Sequence, residues 1–132
     1  MKKVVLLSAV AVFVSACVSA EKMQTKATNS TRTEKCQVNA SMSRNAIPQT
    51  PHNMTLPEFG QGVIGWATGE DGAKKRLENI QKADLKGIQE KGTTLEMVKE
   101  WQAFYENEVQ RNPCNPTAPY RAQLMKKIAE LW

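Results

Sequence analysis

Hydrophobic positions follow three different regimes along the 132-residue chain. After Met1-Lys2-Lys3 they run unbroken from Val4 to Ala16, except at Ser8 and Ser15. From residue 18 to about 50 they thin out among Ser, Thr, Asn, Lys and Gln, and from about Thr55 onward they recur every three or four residues. The first regime is a charged start followed by a 13-residue apolar run. That is too short for a bilayer-spanning helix, which takes about 20 residues, and it reads as a secretory signal peptide over 1–16. The second regime lacks the apolar surface to offset its ordering entropy. It is expected to be a disordered tether over 17–50, averaging roughly 30 Å end to end as a flexible coil. Pro48, Pro51 and Pro57 mark where order begins, so the folded domain is expected over 51–132.

Within that domain the spacing is helical. Thr55-Leu56-Pro57-Glu58 has the form of a capping box with an early proline. Phe59, Val63, Ile64 and Trp66 follow as apolar positions, and Gly69 is expected to end the helix. In GEDGAKKRLENIQ the acids precede the bases, matching the helix dipole, and Leu77 and Ile80 form an apolar side. A short helix is expected over 84–90, closed by Gly92. Thr93-Thr94-Leu95-Glu96 begins another helix by a capping box. Its stripe of Val98, Trp101, Phe104/Tyr105 and Val109 carries it to about Arg111. NPCNPTAP then breaks the chain, because proline does not fit a helix interior. Thr117 is expected to cap a last helix with the stripe Leu124, Met125, Ile128, Leu131 and Trp132. Alternating runs of β-branched residues are nearly absent. The fold class is therefore all-α, four or five short helices in a small domain after a disordered N-terminal tether.

Residues 14–20, VSACVSA, offer two places to cut the signal. Val14-Ser15-Ala16-Cys17 resembles the bacterial lipobox: an aliphatic residue and two small ones before a cysteine. The resemblance implies that the Cys17 thiol receives a diacyl lipid and that Cys17 becomes an acylated N-terminus, with several acyl chains giving durable anchoring. It also implies, since Val18 is not Asp, transport to the outer membrane. The competing cut follows Ala20 and would release a soluble periplasmic chain. The lipobox is favoured, because an ordinary signal has no use for a cysteine there.

Charge and cysteines refine this picture. The formal charge of +5 falls to +3 once Lys2 and Lys3 are removed. Spread over mixed Lys/Glu helices, it describes a solvated surface and implies no nucleic-acid partner. Cys36 and Cys114 remain whichever cut is used. In an oxidising compartment an even pair suggests one disulfide, closing a loop of about 79 residues worth about 4 kcal/mol by chain entropy. Two free thiols, or pairing with another chain, are the alternatives. No CxxC motif is present.

Other motifs carry little chemistry. Gly60-Gln61-Gly62-Val63-Ile64-Gly65 matches G-x-G-x-x-G, but Pro57 stands where a strand should precede it, and the chain is too short for a Rossmann sheet. Its glycines are better read as permitting close packing, with Phe59 and Trp66 as core anchors. His52, the single histidine, lies in the Pro-rich approach and reads as a surface residue. Glu58, Glu70 and Asp71 are explained as helix-start acids, although a two-carboxylate hydrolase leaves no specific sequence mark. Trp66, Trp101, Phe104 and Tyr105 are expected in the core, whereas Trp132, at the end, is the candidate for contact with a partner. No catalytic residue, metal or cofactor is implied.

Residues 56–132 resemble a small helical domain of unknown function found in secreted bacterial chains, some of the polymorphic-toxin type. The pieces that carry the resemblance are Phe59-Gly60, Gly65-Trp66, Trp101 with Phe104-Tyr105, Asn112-Pro113, Asn115-Pro116, and Arg121 with Leu124-Met125. It implies no catalytic residues. Cys114, between the two Asn-Pro pairs, departs from the pattern, and the repetitive body of a toxin chain is missing. The expected function is a lipid-anchored interaction module of the cell envelope. It would be held at the periplasmic face of the outer membrane and bind an envelope protein or an incoming effector or phage component. A peptidoglycan hydrolase or a purely structural lipoprotein is the alternative.

Overall fold

The computed structural model describes residues 36–132. The expected signal peptide, Cys17 and the tether up to residue 35 lie outside the described residues. Among the described residues the fold is all-α, with four α-helices and no strand. They are α1 (Gly69–Asn79), α2 (Leu85–Glu90), α3 (Leu95–Arg111) and α4 (Ala118–Leu131), joined by tighter and wider single turns.

The chain enters through a 3-10 turn at Pro51–Asn53, then the expected capping box forms. The backbone N–H and hydroxyl of Thr55 donate to Glu58 Oε2 at 2.8 and 2.9 Å, and Glu58 N–H donates back to Thr55 Oγ1 at 3.4 Å. The helix that follows is a wide π-helix, Glu58–Ile64. It ends at Gly65 and not at the expected Gly69. Gly65 takes the left-handed φ of 85°, and the carbonyl of Gly60 accepts from both Gly65 N–H (2.8 Å) and Trp66 N–H (3.0 Å). That double acceptance turns the chain back on itself and folds the Trp66 indole over Gly60. A Cβ at Gly60 would fall inside the indole ring, so the glycine is there for close approach. Gly69 instead opens α1, with φ 73°.

Helix α1 buries Ala73 and half-buries Leu77, and Ile80 is buried just beyond its end. Glu70 and Asp71 occupy its first turn and Arg76 its last, as the dipole favours. A 3-10 turn, Lys82–Asp84, leads into α2, which buries Leu85 and Ile88 and is followed by Gly92 at φ 88°. The cap of α3 differs by one residue from expectation. Thr94 Oγ1 accepts Met97 N–H at 3.2 Å, while Thr93 is buried and Glu96 makes no reciprocal bond. The start of α4 is also corrected. Thr117 has helical backbone angles and makes no side-chain cap. The Asn115 side chain does this work: its Oδ1 accepts Thr117 N–H (3.0 Å), Thr117 O–H (2.8 Å) and Ala118 N–H (3.2 Å).

Helices α3 and α4 pack along their length as a hairpin, and α1 closes over α4. Phe59, Trp66, Trp101, Phe104 and Tyr105 form one connected ring cluster with centroids 5.3–6.2 Å apart. Trp66 meets Tyr105 edge-on at 5.4 Å and 88°. Leu124, Met125 and Ile128 of α4 are fully buried beside them. Each such side chain contributes about 1.5–3 kcal/mol, so the cluster is the chief hydrophobic source of the fold.

Residues 36–50, assigned from sequence to the tether, run as ordered coil along α3. Asn39 N–H donates to the Arg111 carbonyl at 2.7 Å. The Asn107 side-chain amide imitates a strand: its Oδ1 accepts Asn45 N–H (3.0 Å) and its Nδ2 donates to the Ser43 carbonyl (3.2 Å). The indole N–H of Trp101 donates to the Gln49 carbonyl at 3.0 Å. Residue 51 thus marks the first helical turn and not the first residue the domain holds. Hydrophobicity does not register such a segment, because polar side chains of α3 fasten its backbone.

Candidate functional site

Cys36 and Cys114 are joined by a disulfide, with Cα atoms 5.2 Å apart. It ties the coil to the α3–α4 loop, with Cys36 exposed and Cys114 half-buried. Trp132 is half-buried against the edge of the core, which leaves part of its ring to solvent. His52 is exposed and left-handed (φ 52°), and its imidazole fills the space beside Gly92 where a Cβ would stand. Among the described residues no group of three or more His, Cys, Asp or Glu side chains is gathered as for a metal ion. Glu70 and Asp71 are exposed on α1. The Glu58 carboxyl is held below its ordinary value by the Thr55 backbone N–H and, next, by the Thr55 hydroxyl. It acts there as a helix-capping anion. The three carboxylates sit in the first turns of their helices.

The literal G-x-G-x-x-G occupies the π-helix and its Gly65 cap, and among the described residues no strand precedes it. Its carbonyls are met by two cations from outside the turn. Arg76 Nε donates to the Ile64 carbonyl at 2.9 Å, and Lys91 Nζ donates to the Gly62 carbonyl at 2.7 Å. Both suit the negative end of a helix. Beside the turn is a concavity of about 380 Å³ lined by Met54, Glu58, Gly62, Val63 and Lys91. Its floor is apolar, with one anion and one cation in its lining. A Cβ at Gly62 would meet only open space. The arrangement offers shape, an apolar surface and opposite charges.

Two polar constellations on α3 escaped the sequence reading. Arg121 lies over the rings of Trp66 (4.8 Å) and Tyr105 (5.6 Å) and donates to the Tyr105 hydroxyl at 3.4 Å. Burial pushes the Tyr105 phenol above its ordinary value, and Arg121 partly opposes that. On the other side Glu108, only 3% exposed, pairs with Arg44 of the coil at 3.0 Å and with Arg111 one turn on. Arg44 also covers the Phe104 ring at 5.3 Å. The signal was present for Glu108: it falls on the apolar stripe, four after Phe104 and seven after Trp101. Arg44 and Arg121 gave no such signal, since their positions depend on tertiary packing.

Further grooves line the α3 faces. One of about 300 Å³ lies between α3 and α4, with Val109, Pro119 and Ala122 lining it beside Glu106, Gln110, Gln123 and Lys126. Another of about 540 Å³ lies between the coil at residues 45–49 and Glu100, Ala103 and Phe104 of α3.

No curated protein matches this chain. A solved structure described as "NMR structure of the protein from Acinetobacter baumannii" is similar, with 59% sequence identity and a TM-score of 0.63. That similarity covers 73% of this chain and 90% of the other. The domain of unknown function DUF4951 matches residues 34–132, the whole of the described helical region. The match begins before the disulfide, so the coil is part of the domain, and the chain belongs to the DUF4951 family.

Proposed function

We propose that the protein is a lipid-anchored module of the bacterial cell envelope that binds another protein. It is attached through Cys17 to the outer membrane and presents the helical domain to the periplasm. The observation that carries the reading is Val14-Ser15-Ala16-Cys17 placed directly after a charged start and a 13-residue apolar run. A disulfide-tied helical domain suits an oxidising compartment. The polar stretch from residue 18 to 35 supplies a spacer between lipid and domain. The helix-start placement of Glu58, Glu70 and Asp71 accounts for these acids by capping and helix-dipole roles. The resemblance to domains of secreted, toxin-associated chains favours a protective or partner-binding role, with an envelope protein, an incoming effector or a phage component as the protein bound.

Two measurements test this reading. Intact mass of the membrane-extracted protein is expected to show an acylated chain beginning at Cys17. A chain beginning at Glu21 would remove the anchor. Crosslinked pull-down of the mature protein from envelope extract is expected to return a reproducible partner. Release of muropeptides by the purified protein, lost on substituting Glu58 or Glu70 with folding intact, would replace binding by hydrolysis.

A further inference from the structure

We infer that the Cys36–Cys114 disulfide is a reversible latch, whose reduction frees residues 36–50 from α3 while the helical core stays folded. The inference does not depend on lipid anchoring or on any partner.

The coil contributes no side chain to the core. The buried hydrophobic residues run from Phe59 to Ile128, and the partly buried residues packed against them begin at Met54. What holds the coil besides the disulfide is polar and sparse. It consists of the Asn39–Arg111 backbone bond, the Asn107 amide on Ser43 and Asn45, the Asn45 amide on the Ala103 carbonyl, the Trp101 indole on Gln49, the Arg44–Glu108 pair and Arg44 over the Phe104 ring. Arg44 is 54% exposed, so its pairing is solvent-screened. Such contacts are each worth little net, whereas every ordered residue costs backbone entropy. The covalent tie keeps these weak contacts at high effective concentration. When it is cut, the coil is the segment with least to hold it.

The core has its own means to survive release. Glu108 keeps Arg111, a partner on its own helix, so its carboxylate is not left bare. Release takes Arg44 off the Phe104 ring and the Gln49 carbonyl off the Trp101 indole, and so uncovers one face of α3. The Thr50–Pro51 junction, where the 3-10 turn begins, is the natural pivot.

The chemistry is ordinary exchange with a dithiol reductant. A reductant thiolate attacks the sulfur of the exposed Cys36 and forms a mixed disulfide, while Cys114 leaves as a thiolate and takes up a proton. The second reductant thiol then attacks the mixed disulfide and releases the Cys36 thiol. Two electrons and two protons pass to the protein, and the reductant is left as a disulfide.

The test is amide hydrogen exchange on the full chain, oxidised and after dithiothreitol, with the Cys36→Ser/Cys114→Ser chain as a reductant-free counterpart. Exchange at Asn39 and Asn45 is expected to rise about tenfold or more in both open forms. Amides of Val98, Leu124 and Ile128 are expected to stay protected, falling together by no more than the roughly thousandfold that opening so long a cross-linked loop implies. Three results would each overturn the latch: unchanged protection of 36–50 after reduction, collapse of the core amides together with the coil, or a disulfide that dithiothreitol fails to reduce in the folded protein.

Discussion

Gly60 and Gly62 stand two residues apart in one π-helical turn, yet adding a methyl group to each should act in opposite directions. At Gly60 the new Cβ lands within the Trp66 indole, so the ring must leave its place. Trp66 is 2% exposed and touches Phe59 at 6.2 Å, Trp101 at 6.2 Å and Tyr105 at 5.4 Å, with Arg121 above it at 4.8 Å. An aromatic pair is worth about 0.5–1.5 kcal/mol beyond burial, and overpacking costs about 1–3 kcal/mol. Gly60→Ala should therefore lose about 2–4 kcal/mol, which for a domain of this size lowers Tm by roughly 10–20 °C. At Gly62 the Cβ meets nothing, and φ is not in the left-handed region. Gly62→Ala should be neutral or gain about 0.4–1 kcal/mol by restricting the unfolded chain. Urea unfolding followed by tryptophan fluorescence reads both. If Gly60→Ala stays within about 0.5 kcal/mol of the parent, or Gly62→Ala is the more damaging of the two, the close-approach account of this turn fails.

The other expectations concern charge. Removing Arg111 leaves Glu108 buried with the half-exposed Arg44 as its one partner, so Arg111→Ala should cost about 1–3 kcal/mol in chemical denaturation, whereas Glu108→Met should cost less. Parity between the two would show that Glu108 is not a desolvated charge. The Tyr105 phenol is raised above 10.0 by burial, so the folded state favours its protonated form. Its contribution is full below pH 10 and lost as pH climbs through the raised value. Arg121→Met should raise the phenol further and steepen the alkaline loss, as read by ultraviolet titration of the Tyr105→Phe difference. The Glu58 carboxyl is lowered by Thr55, so its contribution is present above pH 4.5 and lost as pH falls through the lowered value. The stability gap between the parent and Glu58→Gln should therefore shrink in acid, and a gap that widens would remove the capping role.

Much of the helical framework was legible because it is written in local spacing. The Val98–Trp101–Phe104/Tyr105 stripe marked α3 and its inward face, and the Thr55–Glu58 box marked a helix start that forms as read. Caps were misplaced by small steps wherever several residues could serve. Thr93 and Thr94 are equivalent in sequence, and only burial of Thr93 selects Thr94. Asn115 takes the capping role from Thr117 because its side chain, set in the loop, reaches forward to the N–H groups of Thr117 and Ala118. The π-helical stop at Gly65 was hidden because Gly65 and Gly69 look alike until the Trp66 indole folds over Gly60.

The sequence by itself determined the all-α class, the aromatic membership of the core and the pairing candidates Cys36 and Cys114. Each of these follows from periodicity or parity. Tertiary structure alone decided that residues 36–50 lie along α3, that Arg44 reaches the buried Glu108, and that Arg121 stacks on Trp66 and Tyr105. Those contacts join positions that are far apart in the chain, and polar coil carries no periodic signal from which a neighbour could be read. The physical reason is that the coil is held through its backbone and by a covalent bond, and neither leaves a hydrophobic trace.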